Sequence, residues 1–247
     1  MNNLVGLSTG SIYSWDPKID KQIEIISRLN VRAIEVLFSH ETHLTEGLNI
    51  KSISILNKMK YVSIHAPFYK SDKKEIFYDS NQKTNEVIKR LEKIYFEVNA
   101  KAIVFHPNLV KRLDLFDNTK MNVCFENMPK KSRVKLKELE GLVKNGYQLI
   151  FDSAHSLTYG RKYMNNFIKA FSGVIQHIHF SDRRFSEFFG KIKDHQQIMG
   201  CKNLDKFKEL VSLQCPILLE LNIQDKKYEI ENLKQEIDFV KQMFTKD

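Results

Sequence analysis

Short apolar runs alternate along this chain with longer segments whose apolar residues return every three or four positions. The runs are NLVGLS (3–8), RAIEVLF (32–38), YVSIH (61–65), AIVFH (102–106), NVCFE (122–126), QLIFD (148–152), VIQHIHF (174–180) and PILLELN (216–222). Most are near-continuously apolar and rich in Ile and Val, as parallel strands covered on both faces are. Between them, residues 17–30 place Ile19, Ile23, Ile26 and Leu29 on one helical stripe, and residues 83–98 do the same with Val87, Leu91, Ile94, Tyr95 and Val98. Leu136, Leu139, Leu142 and Val143 mark a further helix, as do Phe207, Leu210, Val211 and Leu213. Residues 227–244 form the last, with Tyr228, Ile230, Leu233, Ile237, Val240 and Phe244.

Eight strands alternating with helices in 247 residues match an α/β fold of the (β/α)₈ TIM-barrel type, expected as a single domain over 1–247. A doubly wound open sheet is the alternative. The absence of a Gly-rich turn after the first strand weakens a dinucleotide-binding reading. Only PNLVKRLDLFDNTKMN separates the fourth strand from the fifth. That span predicts a shortened α segment, a loop or a single turn, between strands 4 and 5.

Composition narrows the class. Apolar residues make up 42% and charged residues 28%, ordinary values for a globular chain. No apolar run reaches the roughly 18–20 residues of a membrane span, and the first residues read as a strand rather than a signal peptide. No membrane association and no obligate protein partner are expected. Three cysteines, Cys124, Cys201 and Cys215, show no paired spacing, which fits a reducing cytoplasm. The net charge of +9 permits phosphorylated or nucleic-acid partners. Its densest cluster, Lys130, Lys131, Arg133, Lys135 and Lys137, reads as a solvated helix start or a phosphate-facing loop.

The strand ends carry the chemistry. The third run ends in His65, the fourth in His106, the fifth in Glu126 and the sixth in Asp152, with His155 three positions on. The seventh supplies His177, His179 and then Asp182, the eighth Glu220, and His195 follows on the loop after the seventh. Singly, a strand-end His reads as a hydrogen-bonded structural imidazole and Asp152 as a turn or cap residue. Together they differ, because the C-terminal ends of barrel strands converge on one mouth. Unpaired charge in that small volume is costly. Carboxylates and neutral imidazoles without adjacent Lys or Arg are compensated most naturally by divalent metal. His177 lies two residues deeper than His179 and reads as structural. Glu35 lies inside its strand and receives no role.

The elements FHP (105–107), EN (126–127), D-x-x-H (152–155) and H-x-x-D (179–182) resemble the xylose isomerase-like TIM-barrel superfamily. That superfamily holds the AP endonuclease 2 or endonuclease IV-like proteins and many sugar phosphate isomerases and epimerases. The motifs lie on six of the eight strands and are closest to the endonuclease IV branch. The resemblance implies three zinc ions: His65 and His106 holding one, Glu126 bridging to a second completed by Asp152, His179 and Glu220, and His155 and His195 holding a third. The family's third site also uses an Asp two residues before the last His. Here Lys193 stands there, and Asp194 is adjacent to His195. The short 106–126 connection and the basic, Gly-free loop NMPKKSRVK are further departures.

Two reactions suit this scaffold. In the favoured one, a multinuclear Zn²⁺ site of two or three ions hydrolyses a phosphoester, abasic-site DNA being one candidate. Glu126 and Glu220 are then the catalytic carboxylates, and Phe68 beside Tyr69 is an aromatic element that contacts substrate. In the alternative, one Mn²⁺ or Mg²⁺ on Glu126, Asp152, His179 and Glu220 serves a sugar or sugar-phosphate isomerase or epimerase. There the two Glu residues shuttle a proton, His155 orients the small sugar substrate, and Arg183 or Arg184 meets a hydroxyl or phosphate. A noncatalytic, metal-stabilised scaffold is the third class.

Overall fold

The structure is a computed structural model that describes residues 4–186, 190–223 and 229–245. Eight parallel strands close into a barrel: β1 (Val5–Ser8), β2 (Ala33–Leu37), β3 (Tyr61–His65), β4 (Ala102–Phe105), β5 (Val123–Glu126), β6 (Gln148–Asp152), β7 (Ile175–Phe180) and β10 (Ile217–Leu219). They pair in chain order, and β10 closes on β1 through Val5 opposite Ile217. Two further strands, β8 (Asp182–Ser186) and β9 (Lys191–Gln196), form a separate antiparallel pair between β7 and β10. The alternation of apolar runs does not reveal that pair, because β8 and β9 carry mostly charged and polar residues.

The period of two along each strand sorts side chains into two compartments. Leu7, Ile34, Ile64, Ile103, Phe105, Phe125, Phe151, Ile178 and Phe180 belong to one large buried cluster between barrel and helices. Each such side chain contributes about 1.5–3 kcal/mol by leaving water. The intervening residues form small separate clusters: Ala102, Val104, Cys124 and Ile150 in one, Ala33, Tyr61 and Leu218 in another. The polar residues Glu35, Ser63, His65, Glu126, Asp152, His177 and His179 belong to this same alternating set, and all are buried. The barrel interior is thus apolar in part and polar towards the strand ends.

The covering helices are α1 (Ile19–Ser27), α2 (Glu41–Glu46), α3 (Ile50–Leu56), α4 (Gln82–Glu97), α5 (Leu136–Lys144), α6 (Ser153–Leu157), α7 (Arg161–Phe171) and α8 (Ile230–Phe244). Asn49 and Asn81 cap α3 and α4, accepting from Ser52 N and Thr84 N. The sequence reading omits α2, α3, α6 and α7. For α7 the signal is present, since Met164, Phe167, Ile168 and Phe171 recur at helical spacing and are buried. Between β4 and β5 the chain makes 3₁₀ turns at Pro107–Leu109 and Leu113–Phe116, the expected shortened connection. The stripe containing Phe207 and Leu210 winds as a 3₁₀ helix, Leu204–Ser212, rather than an α-helix. Among the described residues no helix is long and apolar enough to cross a membrane.

Register places the polar ends. Between β6 and β7 the pairing shifts by one residue, so Ile150 faces His177 and Asp152 faces His179. On the other side of the barrel Gly6 allows β1 and β2 to close, because a Cβ there would lie 1.9 Å from Ala33 O and 2.7 Å from Ala33 Cβ. Two strands must move apart to admit it. Gly6→Ala is therefore expected to destabilise the chain by about 3 kcal/mol, measured as a fall in the denaturant midpoint.

Candidate metal centre

Glu126 ends β5 and sits, buried, between two groups of imidazoles. Its Oε2 lies 3.5 Å from His65 Nε2 and 3.4 Å from His106 Nε2. Its Oε1 lies 3.0 Å from His155 Nδ1 and 3.4 Å from His179 Nδ1. The two oxygens of one carboxylate thus face two different sets of donors. The ring of His65 is fixed by its Nδ1, 2.9 Å from the Ala66 carbonyl, which turns Nε2 towards Glu126. Asn127 locks the neighbouring strand ends together: its amide donates to Asp152 O at 2.9 Å and its Oδ1 accepts from Asp152 N at 2.7 Å.

The second set is Glu126, Asp152, His179 and Glu220, each offering an atom within 4.8 Å of the others. His179 Nδ1 lies 3.3 Å from Glu220 Oε2. Glu126 Oε1, Asp152 Oδ2, His179 Nδ1 and Glu220 Oε2 are all buried and all lack a hydrogen-bond partner. Leaving a buried polar atom unsatisfied costs about 1–3 kcal/mol. Four such atoms converging on one point fit a divalent cation, and so does their chemistry of carboxylate oxygen and imidazole nitrogen.

Asp152 joins this set to a third. As the N-cap of α6 its Oδ1 accepts from His155 N at 2.5 Å, so the cap role is real. Its other oxygen stays free for the cluster, 3.9 Å from His195 Nδ1. Asp152, His155 and His195 together form a set that could hold a metal, as do His65, His106 and Glu126. Asp194 instead pairs with Arg183, Nε to Oδ1 at 2.9 Å. The carboxylate of the third set therefore comes from Asp152 rather than from position 193 or 194. His195 itself has φ 59°, a left-handed backbone that costs a non-glycine residue roughly 1–2 kcal/mol.

Electrostatics agree with a site that attracts positive charge. Burial alone would raise Glu126, yet His179 and His155 hold it well below the ordinary carboxylate range. Burial likewise opposes Glu220, which His195 and His179 bring down to about 2. Burial lifts Asp152 to about 7. Burial disfavours a charged His155, but Asp152 and Glu126 push it up to about 10. With no metal, the cluster gathers protons; metal binding at such ligands releases them.

The mouth above these residues is a cavity of ≈ 280 Å³, lined among others by His65, His106, Glu126, His155, His195 and Glu220. Phe68 lines it and stacks on His106, rings 5.3 Å apart and 14° from parallel. Lys131, from the basic cluster, stands at its edge. Arg183 and Arg184 do not line it. Arg183 is engaged by Asp194, and Arg184 lies by Asp182 in a separate 620 Å³ cavity beside β8 and β9. Conversely, the sequence reading gave Glu35 no role, yet its Oε2 lies 3.0 Å from His179 Nε2. A carboxylate inside an otherwise apolar strand was the available signal.

No family model matches this sequence, and no curated protein does. Solved structures do match in fold. The protein of the AsfvAP:AG crystal structure is 14% identical, with a TM-score of 0.67 over 99% of this chain and 100% of that one. A xylose isomerase domain-containing protein from Salmonella typhimurium LT2 is 16% identical, with a TM-score of 0.66 over 99% and 98%. A D-tagatose 3-epimerase-like protein is 20% identical, with a TM-score of 0.62 over 98% and 100%. In fold the chain is a closed, parallel (β/α)₈ TIM barrel, similar to these xylose isomerase-domain and epimerase-like structures.

Proposed function

We propose that this chain is a divalent-metal-dependent hydrolase of a phosphoester, working through two or three zinc ions at the barrel mouth. One observation carries the reading: Glu126 presents one oxygen to His65 and His106 and the other towards His179 and His155. A single-ion sugar site has no use for a carboxylate bridging to two further strand-end imidazoles.

His65, His106 and Glu126 would hold one ion, Glu126, Asp152, His179 and Glu220 the next, and Asp152, His155 and His195 a third. Bound zinc supplies Lewis acidity to phosphoryl oxygens and acidifies a water. The chain's own contribution is orientation. Ala66 fixes His65, Asn127 ties Glu126 and Asp152 into one unit, and Phe68 packs over His106 to exclude solvent. Glu220, the most exposed of these three carboxylates at 20%, is placed to take a proton from an attacking group. Lys131 supplies positive charge at the edge of the cavity for an anionic substrate.

A second reading, sugar or sugar-phosphate isomerisation or epimerisation with one Mn²⁺ or Mg²⁺, is favoured by the complete set Glu126, Asp152, His179 and Glu220 and by the epimerase neighbours. The two are separated by assay. With zinc added, the chain is expected to hydrolyse bis(p-nitrophenyl) phosphate, and Glu126→Gln to lower that rate by at least about 100-fold. Incorporation of solvent deuterium into ketoses, with no hydrolysis, would favour the sugar reading instead. Metal analysis of two variants gives an independent check. His106→Ala is expected to reduce bound metal in one set only, whereas Glu126→Ala, shared by two sets, reduces it in both.

A further inference from the structure

Beneath the mouth, inside the barrel, lies a second polar cluster that the metal sets leave unexplained. Glu35, in the middle of β2, is fully buried. Its Oε2 accepts from Ser63 Oγ at 3.0 Å and lies 3.0 Å from His179 Nε2 and 3.5 Å from His177 Nε2. The two imidazoles touch, Nε2 to Nε2, at 3.1 Å. At the far end Tyr61 OH lies 2.8 Å from His177 Nδ1. Tyr61 begins β3 and His65 ends it, so the cluster spans the barrel interior from its floor to the metal centre.

Glu35, His177 and His179 also have the spacing of a metal set. Hydrogen bonding decides against that use. His179 turns Nδ1 towards Glu126 and Glu220, and a neutral imidazole carries one N–H. If Nδ1 is to meet a cation as a lone pair, the proton must sit on Nε2, and a carboxylate waits there at 3.0 Å. A metal on Nε2 as well would require the ring to lose both protons. Nor does His177 need a metal, since Tyr61 occupies its Nδ1 and Glu35 or His179 its Nε2.

We propose that Glu35 is a positioning residue for the central metal: it holds the proton of His179 on Nε2 and so makes Nδ1 the ligand atom. Ser63, level with it on β3, and His177 brace the carboxylate. Carboxylates hydrogen-bonded behind ligand histidines fix ring orientation and raise ligand basicity, and their loss typically costs about 10–100-fold in metal affinity. The inference rests on the metal reading of the centre and is the same whichever reaction the metal serves.

The test uses the full chain labelled with ¹⁵N-histidine and loaded with zinc. The expected spectrum shows His179 protonated at Nε2 and zinc-bound at Nδ1, a signature that simple structural packing would not set. Glu35→Gln keeps the shape and removes the charge. It is expected to weaken zinc binding by about 10–100-fold in chelator competition, while the metal-free variant melts cooperatively like the parent. Because the wild-type spectrum needs no variant, a poorly folding Glu35→Gln leaves the test intact. Zinc on His179 Nε2, or unchanged affinity in a folded Glu35→Gln, would overturn the proposal. So would loss of one whole ion in His177→Asn, which would make the deep cluster a metal site. If the wild-type chain binds no divalent ion, the metal reading itself fails and this inference with it.

Discussion

The structure depends on one constraint: four buried carboxylates, Glu35, Glu126, Asp152 and Glu220, must be compensated inside a barrel whose surroundings are hydrocarbon. Their close partners are imidazoles reaching across the barrel from β7 and in from β9. Removing such charge from water is expensive unless paired and hydrogen-bonded. The compensation is partial, because several oxygens keep no hydrogen-bond partner. That shortfall, rather than any single motif, is the physical reason the mouth suits divalent cations.

Strand geometry makes this arrangement possible at modest cost to the core. Alternation sends Leu7, Ile34, Phe125 and Phe151 outward to the helices, where they form the main buried cluster. The same alternation stacks Tyr61, Ser63 and His65 inward on β3, from floor to mouth. The one-residue shift in the pairing of β6 and β7 then brings His179 opposite Asp152.

Much of this was legible in the chain itself. Eight Ile- and Val-rich runs defined the barrel strands because buried parallel strands have few alternatives. Polar residues at or just beyond the ends of six runs marked the candidate ligands, and the structure brings His65, His106, Glu126, Asp152, His155, His179, His195 and Glu220 into groups that could hold metal. What escaped depended on three-dimensional placement. The β8–β9 pair is held by charged strands with no apolar alternation, so the directions of Arg183 and Arg184 could not be read. Nor does the sequence show that Asp152 sits with His155 and His195 in a group that could hold metal, while Lys193 occupies the position two residues before His195. Glu35 was visible as a residue, but its role is set by contacts with β7, 142 or more positions away.

The account stands on Glu126 as a bridge between two metal positions. Anomalous diffraction from zinc-loaded crystals tests it most directly. The account predicts at least two peaks flanking the Glu126 carboxylate, one beside His65 and His106 and one among Asp152, His179 and Glu220. A single peak within the latter set, with His65 and His106 bare, would contradict it.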